Sequence, residues 1–266
     1  MPVQVWATWF QPDATPLTLI QGFPVNDLDL TAKGRSPFHL KIGDNAIEEN
    51  SCKGRLEIDG HSVSWDIKYH SNFRTTLSNK GWIGFSRSPH SDAVFSGQIS
   101  LDGKVTTGDP LGFGAQGHNC GYRHRTFWKW THVYLEPKND EAPTTLEALL
   151  YDMPFGMIFR KAVLWHEGTK YEFRNLSEVK TGVHDFHWSF RANNKDGFRI
   201  EVLIDGNGPA LHRLPYLKTD CSSNIEVANN SCARARIRLQ QRNGRAEILE
   251  TVTGAVLEMG GHCPHF

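Results

Sequence analysis

Short segments of alternating apolar and polar residues, closed by tight Asp-Gly and Asn-Gly turns, recur along this chain, and no other feature constrains its fold as much. Successive side chains on a strand point to opposite faces, so alternation marks a strand with one buried face. Arg55 to Ile58, the turn Asp59-Gly60 and His61 to Tyr69 make the clearest hairpin, with Val63, Trp65, Ile67 and Tyr69 on one face. Asp92 to Leu101 alternates again and ends at Asp102-Gly103, while Asn243-Gly244 joins Ala233–Gln241 to Ala246–Leu257. Phe198–Ile204 runs into a turn at Asp205-Gly206, and Gly156 and Gly168 bracket MIFRKAVLW as a strand. About a dozen such segments, with turns every ~8–12 residues, predict an all-β antiparallel sandwich or barrel with little helix. A helix competes only at TTLEALL, from Thr144 to Leu150. Met1 to Asp29 offers at most one short strand, Asn72 to Pro89 reads as irregular, and the glycine-rich run from Gly108 to Gly117 reads as a turn.

Charge disfavours several partners. The chain of 266 residues carries 29 Lys plus Arg against 29 Asp plus Glu, interspersed, so it has no electrostatic footprint for nucleic acid or an anionic membrane. The N-terminus has no basic region followed by an apolar run, and no segment approaches the ~18 apolar residues of a membrane span, which predicts a cytoplasmic protein. Cys52, Cys120, Cys221, Cys232 and Cys263 are an odd number without a CxxC, so neither a disulfide framework nor a zinc ribbon is written here.

Chemistry concentrates between Gly117 and Leu135, GHNCGYRHRTFWKWTHVYL. Laid out as one strand, a single face carries His118, Cys120, Tyr122, His124, Trp128, Trp130, His132 and Tyr134. Ordinary core strands present Val, Ile and Leu; this inventory suits the wall of an aromatic cavity with a few convergent polar groups. HDFHWSF repeats the pattern in miniature, with His184, Phe186, Trp188 and Phe190 on one face. A metal held jointly by His118 and His132 is excluded, because roughly 45 Å of extended strand separates them at ~3.3 Å per residue. His262, Cys263 and His265 in the tail would bind metal only adventitiously, and Cys120 reads as a small apolar filler before it reads as a nucleophile.

The hairpin with Trp65, the strand FSGQISLDG, the lead into GHNCG, the strand FWKWTHVYL and the closing ETVTGAVLEMGG together resemble the carotenoid 1,2-hydratase-like proteins. These are grouped with the tocopherol cyclase-like and AttH-like proteins, and the resemblance spans roughly residues 35–260 in order of elements. It implies two lipocalin-like β-barrel lobes, residues 1–175 and 176–266, with N-terminal strands available to complete the second. It further implies a hydrophobic pocket for an isoprenoid-like or polyketide-like small molecule, with no metal or organic cofactor. The family motif Asp-His-Asn-Trp-Gly is matched at His118, Asn119 and Gly121, while Gly117 replaces the Asp and Cys120 the Trp. Tyr151 and Asp152 are the nearest match to the downstream Tyr and Asp.

The expected catalytic set is therefore His118, Asp152 and Tyr151. The expected substrate contacts are Asn119, Cys120, Tyr122, His124, Trp128, Trp130, Tyr134, Trp65 and Trp188. Hydrating, cyclising or isomerising an unactivated alkene begins with a proton delivered to carbon. That needs a carboxylic acid kept neutral by an apolar setting, with ring faces to stabilise the cation. The alternative is a carrier of the same fold, which sequesters a lipophilic ligand without turning it over.

Overall fold

The structure is a computed structural model that describes residues 2–31, 38–79, 84–121, 125–137, 142–179, 186–218 and 222–261. Among these residues there are twenty β-strands, short 3-10 turns and no α-helix. Strands β1 (Pro2–Gln11) and β2 (Ala14–Pro24) form a two-stranded sheet. An eight-stranded sheet follows from β3 (Leu28–Thr31), β4 (His39–Ile42), β5 (Asn45–Glu48), β6 (Ser51–Ile58), β7 (His61–His70), β8 (Thr75–Asn79), β9 (Gly84–Leu101) and β10 (Lys104–Gly121). The ten-stranded sheet takes β11 (Phe127–Leu135), β12 (Thr144–Asp152), β13 (Ile158–His166), β14 (Thr169–Arg174), β15 (Ser177–Glu178), β16 (His187–Asn193), β17 (Arg199–Asp205), β18 (His212–Leu217), β19 (Asn224–Gln240) and β20 (Ala246–Gly261). The order is β14-β13-β12-β11-β20-β19-β17-β16-β15, with β18 on β19. Two curled antiparallel sheets make this the two-lobed, lipocalin-like, all-β fold.

The chain divides into two compact units, each assembled from several stretches. One comprises Met1–Trp9, Leu17–Asn72 and Ala93–Ala115; the other comprises Phe10–Pro16, Phe73–Asp92 and Gln116–Phe266. The first is organised on the β6–β7 hairpin, whose turn residues Asp59 and Gly60 hold φ of 52° and 82°, the pair of positive values a two-residue hairpin turn needs. Its core gathers Leu19, Leu56 and Val63, with Trp65, Ile58 and Leu101 packed against them.

The second unit has a larger core on one face of the ten-stranded sheet. Val133 of β11, Leu146, Ala148 and Leu150 of β12, Ala162 and Leu164 of β13, and Trp188, Phe190, Ile204 and Ile237 from the remaining strands all meet there. The opposite face of β11–β13 carries a second cluster, Leu77, Leu149, Tyr151 and Val163, against which Trp128, Trp130, Phe159 and Trp165 pack. β12 is therefore covered on both faces, and eight of its nine residues are buried. A strand covered on both faces reads as a continuous apolar run, so the helix that competed at TTLEALL is a strand.

Other expectations are corrected similarly. Met1–Asp29 yields two long strands and the start of β3, and Asn72–Pro89 contains β8 and the beginning of β9. Gly108–Gly117 is not a turn but lies within β10, and GHNCGYRHRTFWKWTHVYL is the end of β10 and the whole of β11 rather than one strand. No helix among the described residues is long and apolar enough to cross a membrane.

Candidate active site on the Glu147 face of β11–β13

β11 sorts its side chains strictly by parity. Phe127 and Val133 enter the large core, while Trp128, Trp130, His132 and Tyr134 point to the other face. On that face the antiparallel register sets Trp128 against Tyr151, Trp130 against Leu149 and His132 against Glu147. β13 continues the rows, with Val163 beside Glu147 and Phe159 stacked on Tyr151 at a centroid distance of 4.7 Å.

Glu147 is a carboxyl in an apolar setting, only 4% exposed. Its Oε1 accepts hydrogen bonds from Ser88 Oγ at 2.6 Å and from Trp130 Nε1 at 3.3 Å. Its Oε2 is enclosed and has no hydrogen-bond partner among the described residues. Burial pushes this carboxyl up to about 7, against the opposing pull of the two hydrogen bonds, which favour the ionised form. Because Oε1 already receives two donors, the proton of the neutral acid belongs on Oε2.

His132 stands opposite. It is 4% exposed, and its Nε2 lies 2.8 Å from the carbonyl oxygen of Ser91. A carbonyl only accepts, so Nε2 carries the hydrogen and the neutral ring keeps its lone pair on Nδ1. Burial holds the imidazole below its ordinary range, with the Ser91 carbonyl and the charge of Asp92 pulling the other way. Asp92 is itself buried and accepts the Phe73 amide at 2.8 Å, which anchors the segment that presents Ser91. The same carboxylate, after burial, raises the Tyr134 phenol to about 12. His118, half-buried at the end of β10, is lowered by burial and by its neighbours Arg87 and His90.

A second carboxylate lies on the same face, across β11. Glu258 on β20 is the cross-strand neighbour of Trp130, and it accepts Trp128 Nε1 at 2.9 Å, Tyr216 Oη at 3.1 Å and Asn229 Nδ2 at 3.2 Å. The adjacent tryptophans of β11 thus donate to acids on opposite sides, Trp130 to β12 and Trp128 to β20. Gly260 makes this possible: a Cβ there would fall on the Trp128 ring.

The expected residues are distributed unevenly around this face. Trp128, Trp130, Tyr134 and Tyr151 share it, and Tyr151 also hydrogen-bonds Ser78 through its hydroxyl at 3.0 Å, with Arg125 over its ring at 4.6 Å. Asp152 accepts Thr126 Oγ1 at 2.7 Å and the Phe127 amide at 3.0 Å, so both its oxygens hold the entry to β11. Asn119 and Cys120 are exposed at the end of β10. Trp188 lies in the large core, 1% exposed, with its ring 4.8 Å from that of Phe190. Trp65 belongs to the first unit, where its indole N–H meets Cys52 Sγ at 3.2 Å. Tyr122 and His124, like His184, lie outside the described residues. Glu147 was not among the expected residues, although a single acid inside the run TTLEALLY is the sequence signal that marks it.

No protein-family model matches the chain, and no curated protein sequence does. Among solved structures, the crystal structure of kievitone hydratase from Nectria haematococca is similar with a TM-score of 0.56 at 10% sequence identity. That likeness covers 98% of this chain and 84% of the other, and it shows a shared fold.

Proposed function

We propose that this chain is a hydratase-like acid–base enzyme acting on a lipophilic small molecule that carries a carbon–carbon double bond, of isoprenoid or polyketide type. Glu147 carries the reading: it is a buried carboxyl raised to about 7, with an enclosed oxygen that has no hydrogen-bond partner among the described residues. A carboxylic acid with a pKa near the working pH is the group that protonation of carbon requires. The whole-chain likeness to a fold that serves a hydratase supports the same reading.

The proposed chemistry uses these groups in turn. Once the alkene displaces the side chains that enclose Oε2, the Oε2–H bond of Glu147 breaks as a C–H bond forms, and the resulting cation lies against the faces of Trp130, Trp128 and Tyr134. Water adds to the cation, and its surplus proton passes to the lone pair on Nδ1 of His132. The imidazolium then returns a proton to Glu147, closing the cycle. Where the substrate's own nucleophile or a neighbouring C–H bond replaces water, the same pair performs a cyclisation or an isomerisation. Asp152 serves as a positioning residue, and Tyr151 with Phe159 forms the wall.

Mass spectrometry of lipophilic compounds that co-purify with the protein supplies the substrate, and turnover in isotopically labelled water tests the chemistry. Glu147→Gln is expected to retain the compound and to lose at least ~100-fold in rate. Equal turnover by the variant would overturn the assignment, and a compound bound but unchanged by the wild-type protein would favour the carrier.

A further inference from the structure

We propose that His166, Glu167 and Glu247 form a site for one divalent first-row transition-metal ion, of which Zn2+ is the type, with Thr144 orienting the histidine. The group lies at the ends of strands in the second unit, on the face of the sheet opposite Glu147. Thr144 shares its parity on β12 with Leu146 and Ala148, and His166 shares its parity on β13 with Leu164. The proposal is independent of the function argued above.

The ligand atoms are His166 Nε2, one carboxylate oxygen of Glu167 and one of Glu247, and all lie within 4.8 Å of one another. Nε2 is 3.2 Å from Glu247 Oε2 and 3.9 Å from Glu167 Oε1. An ion bound at ~2.0–2.2 Å in tetrahedral geometry holds its ligand atoms roughly 3.3–3.6 Å apart, so small side-chain adjustments close the site and leave its fourth position to water. The hairpin turn between β13 and β14 supplies the convergence. Glu167 holds a φ of 49° there, followed by Gly168 at 70°, which places the Glu167 carboxylate beside the imidazole of the preceding residue.

Thr144 does what the outer partner of a metal-bound histidine does. Its Oγ1 lies 2.8 Å from His166 Nδ1, and both side chains are buried. With Nδ1–H donating to that hydroxyl, the Nε2 lone pair points at two carboxylates. No Lys or Arg pairs with either glutamate among the described residues; both carboxylates face His166, whose Nε2 lies within hydrogen-bond distance of Glu247 Oε2. A neutral imidazole and two carboxylates make a site of charge −2 that a divalent cation neutralises, and this mixed nitrogen and oxygen set suits Zn2+ or Co2+ better than Ca2+. Such an ion ties together the start of β12, the end of β13 and the start of β20.

Titration of the full-length protein with Co2+, followed by its ligand-field absorption and by displacement with Zn2+, tests the site. One tightly bound Co2+ is expected, together with a Zn2+-dependent rise in Tm. Glu167→Gln and Glu247→Gln alter side chains that are 66% and 38% exposed, so the fold tolerates them, and each is expected to weaken Co2+ binding at least tenfold. Thr144→Val is expected to weaken it about tenfold through loss of the orienting hydrogen bond. Absence of Co2+ binding overturns the proposal in favour of a proton on Nε2. Binding that Glu167→Gln and Glu247→Gln leave unchanged also overturns it, placing the ion elsewhere, as at His262 and His265.

Discussion

Glu147 and His132 stand directly opposite each other on β12 and β11, on the same face of the sheet, yet each bonds to β9 and not to its partner. Ser88 holds the acid and the Ser91 carbonyl holds the imidazole, three residues apart on one strand. Burial is the largest influence on both groups and drives each toward its neutral form: it raises the carboxyl and lowers the imidazole. The result is a neutral acid beside a neutral base, the protonation state that general acid catalysis needs, where an exposed pair of the same residues would form an ion pair.

Glu147 makes stability depend on pH in a definite direction. Its carboxyl moves from an ordinary value near 4.5 to about 7 on folding, so between those values the native state binds more protons than the unfolded chain. Stability is therefore expected to be fully present below about pH 4.5 with respect to this group, to fall as pH rises to about 7, and to level off above it, a loss of roughly 3 kcal/mol. Urea unfolding across this range should show the decline in the wild-type protein and its absence in Glu147→Gln, which carries no ionisable group there. A wild-type curve that coincides with the variant's would show that the carboxyl is not buried in the native state.

Ser88 is the stronger of the two bonds that favour the ionised form, by distance and by order of influence. Ser88→Ala removes it and is expected to raise the Glu147 carboxyl further, moving the alkaline limb of kcat/KM to higher pH while the acid remains competent. Infrared titration of the protonated carboxyl, assigned by its loss in Glu147→Gln, reads the same change without a substrate. A limb that stays in place or moves to lower pH counts against Glu147 as the acid.

The hairpins were legible because their signals are local. Asp59-Gly60, Asp102-Gly103 and Asn243-Gly244 each join paired strands, and the parity of Trp128, Trp130 and Tyr134 followed from the period of a strand. β12 was hard to read because both its faces are covered, so its residues show no alternation to distinguish strand from helix. That same double burial is what turns Glu147 into an acid, and a sequence does not reveal which buried strand lies under Ser88, 59 residues earlier in the chain. Trp188 illustrates the converse: its parity was correct, but the face it points to is the closed core.

Asp152 and Glu147 are separable by substitution. Asp152 receives Thr126 Oγ1 and the Phe127 amide, so Asp152→Ala should loosen the entry to β11 and cost about 1–2 kcal/mol of stability, as the loss of a local cap does. Asp152→Asn keeps one acceptor oxygen and should cost less. Neither is expected to abolish turnover or to move its pH profile, whereas Glu147→Gln abolishes it with little change in stability at low pH. A rate loss for Asp152→Asn as large as that for Glu147→Gln would return the acid to Asp152.

Glu258 sets the position of Trp128, and two substitutions approach that coupling from opposite sides. Glu258→Ala leaves the Trp128 indole, the Tyr216 hydroxyl and the Asn229 amide without their shared acceptor, and partly buried donors stripped of an acceptor cost about 1–3 kcal/mol. Burial, reinforced by the Glu258 charge, holds the Tyr216 phenol above its ordinary value, so the same variant should bring it down. Gly260→Ala keeps all three hydrogen-bonding partners but places a methyl group where the Trp128 ring lies, so the ring must turn away from Glu258. Both variants should shift Trp fluorescence toward that of a more solvated indole and weaken retention of the lipophilic ligand, while Trp130→Phe perturbs Glu147 and leaves Tyr216 unchanged. If Gly260→Ala keeps the native emission and full ligand retention, the Trp128 ring does not contribute to the binding face.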